Sequence, residues 1–162
     1  MPLLPSRRVP PVVPPPLGPV HAVALDLPTL DSSQPPILTR LAVFANPWPG
    51  PVTVWRSTDG ASYQVFATVA APATIGETLD PLPRAAPACW DRGHTVRVRL
   101  YGGALTSTSE TRVLNGANAA AVCNADGVWE VIQFANATLI DGNTYRLSGL
   151  LRGQPTELTL TV

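Results

Sequence analysis

The sequence predicts an all-β protein: a β-sandwich-like domain of about eight or nine short antiparallel strands, with a small β-barrel as the alternative. Short segments in which apolar and polar residues alternate are separated by turn residues at near-regular spacing, which is typical of sandwiches and barrels. No segment has the sustained apolar period of a long helix. The chain has 162 residues, of which 45% are hydrophobic, so one domain with a buried core is expected.

The N-terminal region differs in composition from the rest of the chain. The sequence contains 19 prolines, and residues 1–20 are especially rich in them. Such a segment favours an extended polyproline conformation over a helix or a central strand. We therefore expect a Pro-rich extended arm or linker at 1–20, lying along a neighbouring subunit, and a single all-β domain at 21–162. A PxxP ligand for a groove in a partner is the alternative interpretation.

The first half of the domain contains two strand candidates and one hairpin. Residues 21–30 and 41–47 are apolar segments with strand character. The alternating segments 51–57 and 61–70 flank residues 58–60, which read ThrAspGly. Because an AspGly pair suits a tight turn, these two segments predict a β-hairpin.

Three segments are less regular. Residues 74–79 suggest a short edge strand, and the prolines in 81–87 predict a loop because they cannot donate to a strand ladder. Residues 115–121 are the only stretch with helical character. Their Asn and Gly residues limit them to about one turn.

The clearest alternation in the chain lies at 94–101. Arg97 and Arg99 fall on one face with Thr95, and apolar residues fall on the other, so one face is expected in solvent and the other in the core. Residues 104–109 are expected to return against this strand through the glycines at 102–103, as a second hairpin.

The C-terminal part contains the most distinctive segment of the sequence, residues 114–154. Within it, 127–135 and 143–151 predict two paired strands that meet at the AspGlyAsn turn of 141–143. Residues 157–162 alternate and predict a last strand.

Charge and hydropathy exclude several classes of protein. The formal net charge is zero and every basic residue is Arg, so the chain has no basic stripe for nucleic acid. No segment reaches the roughly 20 apolar residues of a membrane helix, and the N-terminus lacks the apolar core of a signal peptide. We expect a soluble product that is synthesised in the cytoplasm and has no transmembrane segment.

The cysteines suggest neither a disulfide framework nor a zinc site. The two cysteines, Cys89 and Cys123, are too few for a disulfide framework, and they lack the spacing of zinc ligands. Two buried free thiols are expected, and a single bridge between them is the alternative, which mass spectrometry without reduction distinguishes.

No catalytic motif is present. Only His21 and His94 could serve as a general base, no GxSxG or other nucleophile motif accompanies them, and His94 is interpreted as a polar residue at a strand edge. Four carboxylates could in principle be paired for glycoside hydrolysis: Asp91, Asp126, Glu130 and Asp141. Two of them, Asp126 and Asp141, fall in Gly-containing turns, where Asp is common. We predict a non-enzymatic protein without catalytic, metal-binding or cofactor-binding residues.

The aromatic residues are the remaining binding signal. Trp55 and Trp129 lie in apolar strands and are expected to be buried. Trp48 and Trp90 lie in loops and are expected to be more exposed, which makes them the candidate residues for contact with a partner or receptor.

Four segments carry a family resemblance: FANPWPGPV at 44–52, PATIG at 72–76, the run 114–154, and LLRGQ at 150–154. Together they resemble the C-terminal region of the host-specificity, or tail tip, proteins of gene transfer agents and related long-tailed phages of alphaproteobacteria. The resemblance covers most of the chain from about residue 10 to 154. It implies a structural role at the distal end of a tail, in an assembly that is typically trimeric. The matching motifs imply no catalytic residues.

Members of that family are usually longer, with a TIM-barrel-like domain and a phage-tail domain ahead of this region and more sequence after it. A separate gene product, a split version and a fragment of a longer tip protein all remain open.

The expected function is therefore a structural component of a phage or gene-transfer-agent tail tip, in the distal hub or host-specificity assembly of the virion. It would mediate assembly with other tip proteins, as a homotrimer, and possible attachment to the host surface. The alternative is a β-module that binds a cell-surface glycan or receptor through exposed aromatic rings.

Overall fold

The computed structural model describes residues 18–28, 37–83, 85–86, 88–123 and 129–153. These ranges contain ten strands and one short helix. In chain order the elements are β1 His21–Pro28, β2 Ile37–Phe44, β3 Val52–Arg56, β4 Gln64–Val69, β5 Gly76–Thr78, β6 Cys89–Asp91, β7 Val96–Leu100, α1 Glu110–Leu114, β8 Ala119–Cys123, β9 Trp129–Asp141 and β10 Thr144–Arg152. The arm at 1–17 and the predicted strand at 157–162 lie outside the described residues.

The fold is all-β, as predicted, and every strand pairing is antiparallel. Six strands form one sheet in the order β5-β7-β10-β9-β8, with β6 also paired to β10, and this sheet is nearly closed and barrel-like. Two further sheets have two strands each, β1-β2 and β3-β4. The described residues contain one or two strands more than the expected eight or nine, and Cys89–Asp91 and Ala119–Cys123 are strands that the sequence did not predict.

Strand β10 is the centre of the large sheet. One of its edges pairs with β9 through a tight turn in which Gly142 has a φ of +48°, so the AspGlyAsn turn is confirmed. Its other edge is shared by two strands in series. Residues 144–147 pair with β7 and residues 150–152 pair with β6. Gly149 lies between these two ladders with a φ of +60°, which favours glycine.

The main core fills the inside of this sheet. The alternation along β7 is confirmed, since Val96, Val98 and Leu100 are buried while the two arginines between them are exposed. The same cluster takes its remaining members from β9 and β10: Phe134, Tyr145, Leu147 and Leu150. Burying this apolar surface is the main source of stability for a sheet of short strands.

A second, smaller core lies on the outer face of the sheet, and we call it the helix-side core. It consists of Val113 from α1, Ala135 from β9 and Leu151 from β10. Gln133, which is 2% exposed, fastens the helix by donating from Nε2 to the carbonyl oxygens of Val113 and Ala117, the latter at 2.8 Å. The sheet is therefore covered on both faces at this end.

The helical turn lies earlier than expected. Residues 115–121 were predicted to contain it, but the helix is Glu110–Leu114, and 119–121 belong to β8. Ser109 begins the helix because its side chain accepts from the backbone N–H of Arg112, and Glu110 places negative charge in the first turn. Asn115 ends it.

The predicted return of 104–109 against β7 is wrong. Both edges of β7 are occupied, one by β5 and one by β10. The segment instead runs beside β9, where Thr108 N donates to the Ala135 carbonyl at 2.8 Å and Ala137 N donates to Ser107 Oγ at 3.0 Å. The short edge strand predicted within 74–79 is confirmed as β5.

The β1-β2 sheet contacts the segments next to β5 and β7, at residues 73 and 101–102. Ala73 N donates to the Val43 carbonyl at 2.7 Å, and the rings of His21 and Tyr101 lie 4.7 Å apart. A Cβ at Gly102 would overlap the ring of Phe44, so a larger residue there would require that ring to move.

Both cysteines are exposed, so the expected burial of their thiols is wrong. Cys89 begins β6 and Cys123 ends β8, at the margins of the sheet. Strands β10 and β9 lie between them in the sheet, and the alternative of a bridge stays a prediction.

Replacing Leu150 by alanine should lower the free energy of unfolding by about 2–5 kcal/mol, because its side chain is fully buried in the main core. Leu139→Ala is the matched control, since Leu139 is 56% exposed and its loss should cost less than about 0.5 kcal/mol. Urea unfolding followed by circular dichroism measures both, and equal effects would contradict the assignment of the core.

Candidate interaction surface

Asp59 organises the turn of the β3-β4 hairpin. Its Oδ1 accepts hydrogen bonds from Ser57 Oγ at 2.9 Å and from the backbone N–H groups of Ala61 and Ser62 at 2.9 and 2.8 Å. Gly60 follows with a φ of +73°, which confirms the predicted AspGly turn. These hydrogen bonds, led by the one from Ser62, hold the pKa of the Asp59 carboxyl well below its usual range. The turn therefore carries a negative charge at any working pH.

The end of the hairpin next to this turn exposes a group of apolar side chains, which we call the aromatic tip. Trp55, Tyr63, Val65 and Phe66 are 56%, 61%, 57% and 37% exposed. Trp55 and Val65 are directly opposite each other, and the Arg56 guanidinium carbon lies 4.9 Å from the centre of the Phe66 ring. Adjacent large apolar residues in solvent mark binding surfaces more often than single ones do.

The exposure of the tryptophans reverses the sequence prediction. Trp55 and Trp129 were expected to be buried, but they are 56% and 40% exposed. Trp55 lies in the two-stranded β3-β4 sheet, and its exposure shows that no second layer in the described part of the chain covers it. Trp129 is paired with Cys123 at the end of the outermost strand β8. Alternation identifies a strand, but it does not show whether another layer packs on its apolar face.

Trp90 is half-buried and supports the helix-side core. It lies opposite Leu151 in the ladder of β6 and β10. The guanidinium carbon of Arg92 lies 5.3 Å from the centre of its ring, and the same guanidinium forms a two-pronged ion pair with Glu110 at 2.6 and 3.0 Å. Trp90 therefore offers little free ring surface.

Trp48 is also half-buried, in the loop after the cis peptide bond between Asn46 and Pro47. Its contact with a partner stays a prediction, as does that of Trp90. The aromatic tip, which sequence reasoning did not select, offers more exposed ring surface than either residue. Its only sequence signal is the break in alternation at Val65 and Phe66, two adjacent large apolar residues in a short strand.

A buried ion cluster closes the end of the sheet away from the β9-β10 turn. Arg152 is 1% exposed, and its Nε and Nη2 donate to Oε1 and Oε2 of Glu130 at 2.8 and 3.0 Å. Nη2 also donates to the Pro83 carbonyl at 2.7 Å, and Nη1 donates to Asp91 Oδ2 at 3.3 Å. The backbone N–H of Gly153 donates to Glu130 Oε1 at 3.1 Å. Four separate parts of the chain meet at one guanidinium.

The pKa values of the two carboxyls reflect these contacts. The hydrogen bonds from Arg152 lower the pKa of Glu130. Burial alone would raise the pKa of Asp91, but hydrogen bonds from the backbone and ring of His94 leave it lowered. His94 Nδ1 lies 3.0 Å from both oxygens of Asp91. Because that carboxylate also serves the buried Arg152, the His94 contact fits an ion-pair network better than a catalytic pair.

The other candidate carboxylate in the described part of the chain, Asp141, ends β9 at the turn, as predicted for a turn residue. Asp126 lies outside the described residues. Within the ranges that the structure describes, no three His, Cys, Asp or Glu side chains are grouped closely enough to hold a metal ion. The same ranges contain no helix with the length and apolar character needed to cross a membrane.

Glu130→Gln should lower the free energy of unfolding by about 3–5 kcal/mol, because it removes a charge that faces a buried guanidinium. Glu77→Gln is the matched control. Glu77 pairs with Arg99 at 2.6 Å, but both side chains are largely exposed, so its loss should cost less than about 1 kcal/mol. Chemical denaturation measures both variants, and a small effect at Glu130 would contradict a structural role for the cluster.

Stability should also depend on pH through Glu130. Its folded-state pKa is lowered from 4.5, so its ion pair contributes fully above that pH and is lost as the pH falls through the folded-state pKa. The free energy of unfolding of the wild-type protein should therefore decrease as the pH falls below about 4.5. Glu130→Gln should show a shallower decrease over the same range, and parallel curves would contradict this expectation.

Among curated proteins, no match to the chain is found. Residues 73–158, just over half of the chain, match a family model described as Rcc01698-like, C-terminal. The matched region begins just before β5 and includes the large sheet, the helix and the ion cluster around Arg152. The chain therefore belongs to the family defined by the Rcc01698-like C-terminal domain.

Proposed function

We propose that this protein is a structural component of a phage or gene-transfer-agent tail tip, where it mediates assembly and takes part in attachment to the host surface. The resemblance of residues 44–52, 72–76 and 114–154 to tail tip proteins supplies the class of function. The exposed aromatic tip is the single structural observation that carries the proposal, because it is a surface suited to contact with another protein.

Strand edges add a second kind of contact surface. In the described part of the chain, β8 and β5 are the outermost strands of the large sheet. Strand β8, Ala119–Cys123, carries neither charge nor proline, the features that usually keep an edge from pairing with another chain. Such an edge suits a subunit of an assembly, in which a neighbour covers it.

The partners in this proposal are other tip and hub proteins and further copies of the chain, arranged as a trimer around the tail axis. A ring of this kind uses two different surfaces of each subunit, and the aromatic tip and the β8 edge are two such surfaces. The site of action is the virion, after synthesis in the host cytoplasm.

Mass spectrometry of purified, disrupted particles tests the proposal directly, and absence of this chain from the particles would contradict it.

Replacing Trp55 and Phe66 together by alanine should reduce the number of copies per particle severalfold, because removing aromatic anchors costs about 2 kcal/mol or more at an interface. Trp129→Ala is the control for losing an exposed tryptophan elsewhere, and it should leave the copy number unchanged. Both variants must keep the wild-type unfolding transition for the comparison to count.

The exposure of Trp55 and Tyr63 also favours the second candidate function, a module that binds cell-surface glycan by stacking sugars on aromatic rings. Whole-cell or glycan-array binding tests it. Binding that falls on Trp55→Ala, or on Trp48→Ala with Trp90→Ala, would support it. Binding that none of these changes affects would remove it.

A further inference from the structure

Two strands of the molecule, β4 and β8, have edges that suit pairing with each other in different copies of the chain. We propose that the outer edge of β8 in one copy pairs antiparallel with the outer edge of β4 in the next copy, so that a sheet continues across the subunit boundary. This contact rests on the proposed function and deepens it, because it states how copies of the chain bind one another in the tail tip.

The composition of β4 and β8 sets them apart from the other strands. Each of the other eight strands that the structure describes carries at least one Asp, Glu or Arg. Strand β4 reads QVFATV and β8 reads AAAVC, so neither has a charge or a proline. Charges and prolines usually keep a strand edge from pairing with another chain. The two strands that lack this protection are therefore the best suited to accept a partner strand.

Both strands have one side that is open for pairing. Strand β8 pairs with β9 on one side, and β4 pairs with β3 on one side. In the described part of the chain, no strand pairs with the opposite side of either. Their lengths of five and six residues allow a ladder over nearly the whole of both strands. An edge of this kind offers its unpaired backbone N–H and C=O groups to a further strand.

The side chains of the two strands also differ in size in a complementary way. Strand β8 begins with three alanines, Ala119–Ala121, whereas Val65 and Phe66 of β4 are large and are 57% and 37% exposed. Small side chains on one strand leave room for large ones on the strand beside it. Pairing with β8 would thus cover part of the aromatic tip with a second copy, which is one of the partners in the proposed function.

The β3-β4 hairpin gains most from this contact. A sheet of two strands is marginally stable in water, whereas three or more strands with an apolar face are stable. The large sheet of the neighbouring copy is already formed around its own core, so β8 offers a fixed template. The added strand would support the outer edge of the hairpin, where its exposed apolar side chains lie.

A contact between two different strands also fits the proposed ring. Each copy offers one β4 edge and one β8 edge, so the contact repeats from copy to copy and can close after three. Pairing of β8 with β8, or of β4 with β4, would instead follow a two-fold axis and stop at two copies.

Crosslinking of the purified full chain tests the contact. The chain has two cysteines, so Cys89→Ser leaves Cys123 as its single thiol, at the end of β8. Antiparallel pairing places that thiol beside Gln64, the first residue of β4 in the next copy. Gln64→Cys in the Cys89→Ser background, treated with a short bismaleimide, should therefore give covalent dimers and trimers. Crosslinks confined to single molecules would overturn the proposal.

Two further variants control for the partner and the direction of the strands. The Cys89→Ser parent should give no product, and dimers from it would show that two β8 edges meet, which overturns the proposal. Thr68→Cys places the second thiol four residues further along β4, roughly 13 Å from position 64 at 3.4 Å per residue. It should give severalfold less product than Gln64→Cys, and equal yields would overturn antiparallel pairing.

A charge on the edge provides an independent test. Thr68→Lys should lower the product yield of the Gln64→Cys chain severalfold, because a lysine on a strand edge opposes pairing with another chain. Thr53→Lys is the matched control, since Thr53 lies opposite Thr68 on β3 and both are exposed. It should keep the yield, and equal losses in the two variants would overturn the proposal.

These results are distinguishable from failure of the proposed function. If particles contain the chain but Gln64→Cys crosslinks only to a different protein, the edge contact is overturned and the tail tip role stands. If the purified chain gives the expected trimers but particles lack it, the contact stands and the tail tip role is contradicted.

Discussion

The buried guanidinium of Arg152 is the interaction on which the rest of the large sheet depends. It ends the central strand β10 and binds Glu130 on β9, Asp91 on β6 and the carbonyl of Pro83. A guanidinium without partners in such a place would cost several kcal/mol, so the loop of Pro83 and strand β6 must be where they are when the sheet forms. The planar fork of arginine suits this site because it meets several acceptors at fixed angles, which lysine cannot do.

This cluster also explains how so short a strand as β6 can exist. Three residues add little apolar burial, and β6 has a proline-rich segment before it and a turn after it. Its ladder with β10 is reinforced at one position by the ion pair of Asp91 and at the next by Trp90, which packs on the helix-side core. The main core and the helix-side core are thus joined through the last residues of β10.

The sequence predicted the features that local chemistry decides. The alternation of Val96, Arg97 and Val98 predicted one face in solvent and one face in the core, and the turns at 58–60 and 141–143 followed from Asp and Gly.

Contacts between distant parts of the chain were not predictable in the same way. Arg152 lies in a segment that served only as a family marker, because nothing local shows that Glu130, 22 residues away, would reach it. Trp55 was placed in the interior for a similar reason, since the pattern of one strand does not reveal what lies over it. The segment 104–109 was paired with the nearest strand in sequence, although both edges of that strand were already occupied.

The interruption in the ladder along one edge of β10 has a consequence for the shape of the molecule. Between the residues that pair with β7 and those that pair with β6, Gly149 adopts a conformation that breaks the regular pleat. A flat, continuous ladder resists bending, whereas a glycine kink in the middle of a sheet lets the strands on either side turn toward each other. The single glycine within β10 thus allows a few short strands to curve around one another and enclose a core that a planar sheet would leave open to water.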